Sequence, residues 1–156
     1  MDEDYSLDSN ETSTTSSTDG SFTIKYENGV LASLGGQDVD TQTQLDNLLL
    51  IRDLSGYTES SFMITPVTSV AHFMPSQNIY NLLGLDNDLD IYTTDPVANI
   101  GSGAGYDLLY EKGNQLTILA YSLQNITKDL NSSMDSTADY FKAISDEIVL
   151  EYTDTE

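Results

Sequence analysis

Apolar side chains occupy every second position from residue 22 to residue 26, and a second apolar run covers residues 30–34. Asn28 and Gly29 separate the two segments. This dipeptide favours a two-residue hairpin turn, because both positions tolerate a positive φ. The pattern therefore predicts a β-hairpin over residues 22–34.

From about residue 65 onward the spacing of apolar positions becomes helical. Thr65 and Asp95 each precede a proline, which predicts an N-cap and a first helical position at both sites. The second of these helices is expected to be brief and to end near Gly101. Gly84 follows a short apolar segment, residues 78–83, and predicts a left-handed helix end.

Two longer helices are predicted in the C-terminal half of the chain. Three-and-four spacing marks a buried stripe in each of them. The first stripe consists of Leu109, Leu116, Leu119, Ala120, Leu123, Ile126 and Leu130, and the second of Ala138, Phe141, Ile144 and Ile148. The predicted fold class is α+β: a small N-terminal β-hairpin region followed by a helical C-terminal bundle.

Residues 1–20 differ from the rest of the chain because they are acidic, rich in serine and threonine, and poor in large apolar side chains. Such a segment cannot bury enough surface to offset the entropy lost on ordering. We therefore expect a leader outside the core at 1–20 and a single mixed domain over 21–156.

Charge and composition exclude several classes of function. The 156 residues contain 26 acidic and 5 basic residues, for a net charge of −21. This balance opposes nucleic-acid binding and docking on anionic membranes, which both need clustered lysine and arginine. No apolar run approaches the roughly 20 residues of a membrane-spanning helix, so membrane insertion is not expected. The absence of cysteine excludes disulfides, thiol catalysis and cysteine-ligated zinc.

Catalytic patterns are sparse in this sequence. His72 is the only histidine, so any serine–histidine–aspartate arrangement would have to use it. The chain contains no Gly-x-Ser-x-Gly motif, which is typical of one large hydrolase class. We therefore predict a non-catalytic protein, with a hydrolase fragment that uses His72 as the alternative.

Calcium is the cation that the acidic residues fit best, because it prefers several oxygen ligands presented by alternating positions of a loop. Two segments have this alternation. The first candidate site consists of Asp2, Asp4, Asp8 and Glu11, and the second of Asp86, Asp88 and Asp90. Solvated loop charges and helix caps are the alternative interpretation of both segments.

Four segments together resemble a known bacterial module. Residues 35–41 read GGQDVDT and residues 64–70 read ITPVTSV, followed by LGL at 83–85 and TDP at 94–96. This order is similar to a helical module of large, repeat-rich surface adhesins and secreted hemolysin-type, calcium-associated proteins of bacteria.

The N-terminal segment is similar to the end of a B-type calcium-binding repeat of such adhesins. In those repeats an acidic loop that closes on glutamate leads into a Thr-Asp-x-Gly-x-Phe motif. Here residues 2–11 form a similar loop, with one loop residue missing and Ser6 where Asp or Asn is expected, and the shorter sequence TDGSF follows at 18–22. The resemblance implies bound calcium, neighbouring domains of a longer chain as partners, and cell-surface or matrix ligands.

We therefore expect an extracellular or cell-surface module that acts in adhesion or as a structural spacer. A small-ligand-binding sensor domain is a further alternative.

Overall fold

The computed structural model describes residues 9, 11–25, 29–37, 42–74, 79–127 and 136–153. Within these residues two strands precede four helices, which confirms the predicted α+β class. The strands are β1 (Val30–Leu34) and β2 (Leu49–Asp53), and the helices are α1 (Pro66–His72), α2 (Ile79–Leu83), α3 (Ala104–Thr127) and α4 (Thr137–Thr153).

The sheet consists of β1 paired antiparallel with β2, the strand that follows it along the chain. The predicted hairpin over residues 22–34 is therefore wrong, because residues 21–25 form no strand and the partner of β1 is β2. The ring of Phe22 instead contacts the ring of Phe62 in an edge-to-face arrangement, with 5.6 Å between the ring centroids. The alternating segment thus makes an aromatic contact where a ladder was expected.

Hydroxyl groups from two helices close the edge of β2 that faces away from β1. The N–H of Leu49 donates to Thr137 Oγ1 at 2.6 Å, and the N–H of Ile51 donates to Ser69 Oγ at 3.0 Å. Thr137 begins α4, Ser69 lies in α1, and both are buried. Since a buried N–H without an acceptor costs about 1–3 kcal/mol, these hydroxyls fix β2 between the two helices.

The start of α1 has the predicted cap. Thr65 Oγ1 accepts a hydrogen bond from the N–H of Thr68 at 3.1 Å, and Thr68 Oγ1 accepts one from the N–H of Thr65 at 2.8 Å. Pro66 follows at the first helical position. This reciprocal capping box satisfies backbone donors that would otherwise lack partners, and it sets where the helix begins.

Glycine ends α2 as predicted, but the brief helix expected after Asp95 is absent. Gly84, directly after α2, has a φ of 67°, the left-handed conformation that stops a helix. Residues 96–101 form turns, so the prediction of a helix there is wrong. Asp95 caps only a single turn, and Gly101, with a φ of 77°, ends that segment.

The main core lies where α3 and α4 meet α1. The buried positions of the two predicted stripes are Leu109, Leu116 and Ala120 in α3, and Ala138, Phe141 and Ile144 in α4. Leu119 and Ile126 belong to the predicted stripe of α3 but are 44% and 69% exposed, and Leu130 lies outside the described residues. The buried stripe of α3 is therefore narrower than its apolar pattern, and one flank of the helix stays apolar and accessible.

Candidate functional site

The first predicted calcium site falls mostly on residues that the structure leaves undescribed. Asp2, Asp4 and Asp8 lie outside the described residues. Glu11 is half-buried, in a segment that forms neither helix nor strand as far as Gly20. Calcium binding by this loop therefore stays a prediction.

The second predicted calcium site lies in an exposed segment between α2 and α3. Asp86 Oδ1 accepts the N–H of Asp88 at 3.0 Å, and Asp90 accepts the N–H of Tyr92 at 2.8 Å and the hydroxyl of Thr93 at 2.6 Å. These bonds use Asp86 and Asp90 as turn caps. In the described part of the chain, no group of three His, Asp or Glu side chains is close enough together to hold a metal ion. Calcium can also take backbone carbonyl and water oxygens as ligands, so calcium binding at this loop stays a prediction.

Hydrogen bonds also keep Asp90 in its charged form. The hydrogen bond from the Thr93 hydroxyl is the main cause that lowers the pKa of Asp90, and the positive charge of Arg52 adds to the same effect.

His72, on which the hydrolase alternative depends, is the last residue of α1. It is half-buried, and its ring contacts Phe73 edge-on, with 5.0 Å between centroids. An acidic residue, Asp53, is close enough to feel the charge of His72. Its pKa is lowered mainly by the hydrogen bond with Ser55, and the charge of His72 adds to the same shift. Nucleophilic catalysis also needs a hydroxyl within hydrogen-bond reach of the histidine, so this alternative stays a prediction.

Arg52, near the end of β2, is the most unusual side chain in the described structure. It is the only arginine of the chain and is 2% exposed. One guanidinium nitrogen, Nη1, donates to the carbonyl oxygens of Met63 at 2.7 Å and Tyr92 at 2.8 Å. No sequence pattern predicted this role, because a single basic residue between an apolar run and Asp53 is typical of a strand end in solvent.

Three aromatic rings surround the Arg52 guanidinium. Its carbon lies 4.6 Å from the ring centroid of Tyr57, 4.9 Å from that of Tyr92 and 5.5 Å from that of Phe62. Each distance is within the range of a cation–π contact, which strengthens when water is excluded. We call Arg52 and these three rings the arginine cage. It joins β2 to the segment before α1 and to the loop after α2.

Partial burial also affects Tyr92, one of the two tyrosines of the cage. Desolvation raises the pKa of Tyr92, and the positive charge of Arg52 partly opposes that rise. Since the guanidinium is enclosed by rings and carbonyl oxygens of its own chain, the cage works as an internal cross-link and leaves the cation inaccessible to an external anion.

An apolar cleft of about 450 Å³ lies between α3 and α4, beside the end of α2. Leu116, Leu119 and Ile144 contribute apolar lining, and Lys112 and Glu147 supply one charge of each sign. This volume falls in the range of small-molecule pockets, about 300–1,000 Å³. The cleft results from the apolar flank of α3 that the core leaves uncovered.

Comparisons with known proteins give no relative: no family model, curated protein or solved structure matches this chain. Among the described residues, no helix has both the length and the apolar character needed to cross a membrane.

Proposed function

We propose that this chain is a non-catalytic, extracellular module of a large bacterial surface or secreted protein, acting in adhesion or as a structural spacer. Its partners are neighbouring domains of a longer chain and cell-surface or matrix ligands. Calcium at the N-terminal acidic loop stabilises the leader. The motif resemblance of residues 35–41 and 64–70 supports the proposal.

The observation that carries the proposal is the acidic exterior. The net charge is −21, and one of only five basic residues, Arg52, is buried in the arginine cage. The excess of acidic over basic side chains on the outer surface is therefore even larger than the composition suggests. Such a surface keeps a protein soluble and monomeric, and salt screens its self-repulsion. These properties suit a module that is exposed to a saline medium.

The proposal is tested by attaching the purified chain to beads and measuring their retention on bacterial cells and on immobilised matrix proteins. An adhesion module gives saturable retention that the free chain competes away. A spacer gives no retention, but its thermal unfolding temperature rises between low salt and roughly 1 M salt, as screening predicts. A hydrolytic activity that is lost in His72→Gln would refute the non-catalytic role.

The apolar cleft favours one alternative, a small-ligand-binding sensor. Ala143 lines the cleft, so Ala143→Leu should fill part of it, whereas Ala98→Leu lies at an exposed turn and serves as the matched control. A thermal-shift screen of apolar compounds and short peptides provides the test. A stabilising compound whose effect is lost only in Ala143→Leu would support the sensor over the module.

A further inference from the structure

The hydrogen bonds that flank the ladder fix the direction of each backbone group in β1. The N–H of Leu54 donates to the carbonyl oxygen of Gly29 at 2.8 Å. Because bonded and non-bonded pairs alternate in an antiparallel ladder, the next residues of β1 that bond to β2 are Leu31 and Ser33. The backbone groups that point away from β2 belong to the other residues of β1: Val30, Ala32 and Leu34.

These outward groups form an open sheet edge. No hydrogen bond joins them to any residue that the structure describes. The opposite edge of the sheet, on β2, is closed by the hydroxyls of Thr137 and Ser69. Proteins usually protect an open edge with charged residues, proline or a bulge. β1 reads VLASL, pairs with β2 without a bulge, and leaves the Leu34 side chain 69% exposed.

Acidic residues at the two ends of the sheet select the kind of strand that the open edge can accept. Asp53, opposite Val30, is exposed at one end of the sheet. Asp46 is exposed at the other end, where its carbonyl oxygen lies 3.6 Å from the position of a Cβ on Gly35. A second copy of the chain would bring another charge of −21 and would be repelled, whereas a basic segment would be attracted.

We propose that the open edge of β1 binds an extended segment of another protein, in which apolar and polar residues alternate between flanking lysines or arginines. The added strand pairs with the outward N–H and C=O groups of Val30, Ala32 and Leu34 and makes the sheet three-stranded. Its flanking cations are attracted by the acidic residues at the two ends of the sheet, Asp46 and Asp53, and by the net negative charge of the chain. This inference does not depend on the adhesion or spacer role.

The test uses a synthetic peptide of about nine residues, a length that covers the strand, with valine and threonine alternating between terminal lysines. Amide hydrogen exchange is measured on the intact chain with and without the peptide. Binding at the edge slows exchange of the amides of Val30, Ala32 and Leu34 and leaves those of Leu31 and Ser33 nearly unchanged. This alternation is specific to strand addition. Equal protection of all five amides, or protection elsewhere alone, would overturn the proposal.

A proline substitution distinguishes strand pairing at the edge from non-specific binding of the peptide. Leu34→Pro removes an outward N–H without removing a bond to β2, whereas Leu34→Val keeps that N–H and serves as the control. We expect the proline variant to keep the circular dichroism of the parent and to bind the peptide about tenfold more weakly than the valine variant. Equal affinities of the two variants would refute pairing at this edge.

The charge part of the proposal has its own control. A peptide with glutamate in place of both lysines should bind about tenfold more weakly at low salt, and the difference should shrink as salt is added. Equal binding of the two peptides would overturn the choice of a basic partner. Concentration-dependent dimerisation that protects the amides of Val30, Ala32 and Leu34 without any peptide would also overturn it, in favour of a second copy.

Discussion

Replacing Arg52 by methionine tests the arginine cage most directly. The change removes two hydrogen bonds from a charged donor, about 1.5–3 kcal/mol each, and three ring contacts, about 0.5–1 kcal/mol each. It also removes the cost of keeping a guanidinium out of water. That cost is several kcal/mol, so its removal offsets most of the stabilisation that is lost with these contacts. What remains is the loss of the donor for two carbonyl oxygens, those of Met63 and Tyr92. We expect the free energy of unfolding to fall by about 2–4 kcal/mol.

Urea unfolding followed by circular dichroism measures this change, with an unchanged m-value as the check on two-state behaviour. Arg52→Lys keeps the charge but loses the planar fork, so we expect it to be destabilising as well. Lys142→Met is the matched control. Lys142 is exposed and pairs with Asp146 at 2.7 Å one helical turn away, a contact expected to contribute less than about 0.5 kcal/mol.

Tyr92 offers a readout that simple loss of packing would not move in this direction. Because the charge of Arg52 lowers the pKa of Tyr92 against the effect of burial, Arg52→Met should raise that pKa further. If the free energy of unfolding of Arg52→Met is within about 0.5 kcal/mol of the parent value and the pKa of Tyr92 is unchanged, the cage does not hold the segment before α1 and the loop after α2 to β2.

Three further predictions concern the core, acid stability and calcium. Phe141 is fully buried, so Phe141→Ala should lower the free energy of unfolding by about 3–5 kcal/mol in the same urea assay, and a change within about 0.5 kcal/mol would mean that α4 does not pack as described. The pKa of Asp90 is lowered in the fold from its ordinary 3.8, mainly by Thr93, so its carboxylate stabilises the fold above about pH 4 and that contribution is lost as the pH falls through the folded pKa. Asp90→Asn should therefore be less stable than the parent near neutral pH and should converge with it in acid, whereas a constant difference across pH would contradict this reasoning. Calcium should give a saturable heat in calorimetry at physiological ionic strength, with a dissociation constant of roughly 0.1–1 mM, and Asp2→Ala with Asp4→Ala should abolish that heat if the N-terminal site exists.

Local signals predicted α1 to α4 because the residues that carry them act within one turn, but the same signal at Asp95 and Pro96 predicted a helix that is absent. The cap at Thr65 and the glycine after α2 depend on their own neighbours, so the sequence is sufficient to find them. The same holds for the buried positions of α3 and α4. The exposed Leu119 and Ile126 show the limit, because a periodic pattern does not reveal how wide a surface the neighbouring elements cover.

The strand pairing was mispredicted because its determinants are distant in the sequence. Asn28 and Gly29 signal a turn, but β1 pairs with β2, which is held by Ser69, 18 residues from Ile51, and by Thr137, 88 residues from Leu49. No local pattern contains those contacts. The arginine cage was missed for the same reason, since Arg52, the pair Tyr57 and Phe62, and Tyr92 come from three separate parts of the chain.

The position of the only arginine has a consequence for proteolysis. Trypsin cleaves after lysine and arginine, and between Lys25 and Lys112 the chain offers it a single site, at Arg52. That side chain is buried and its backbone lies within the β2 ladder, so the bond becomes accessible only when the sheet opens. The rate at which trypsin cleaves the bond between Arg52 and Asp53 would therefore report how often the sheet opens, without any label or engineered cleavage site.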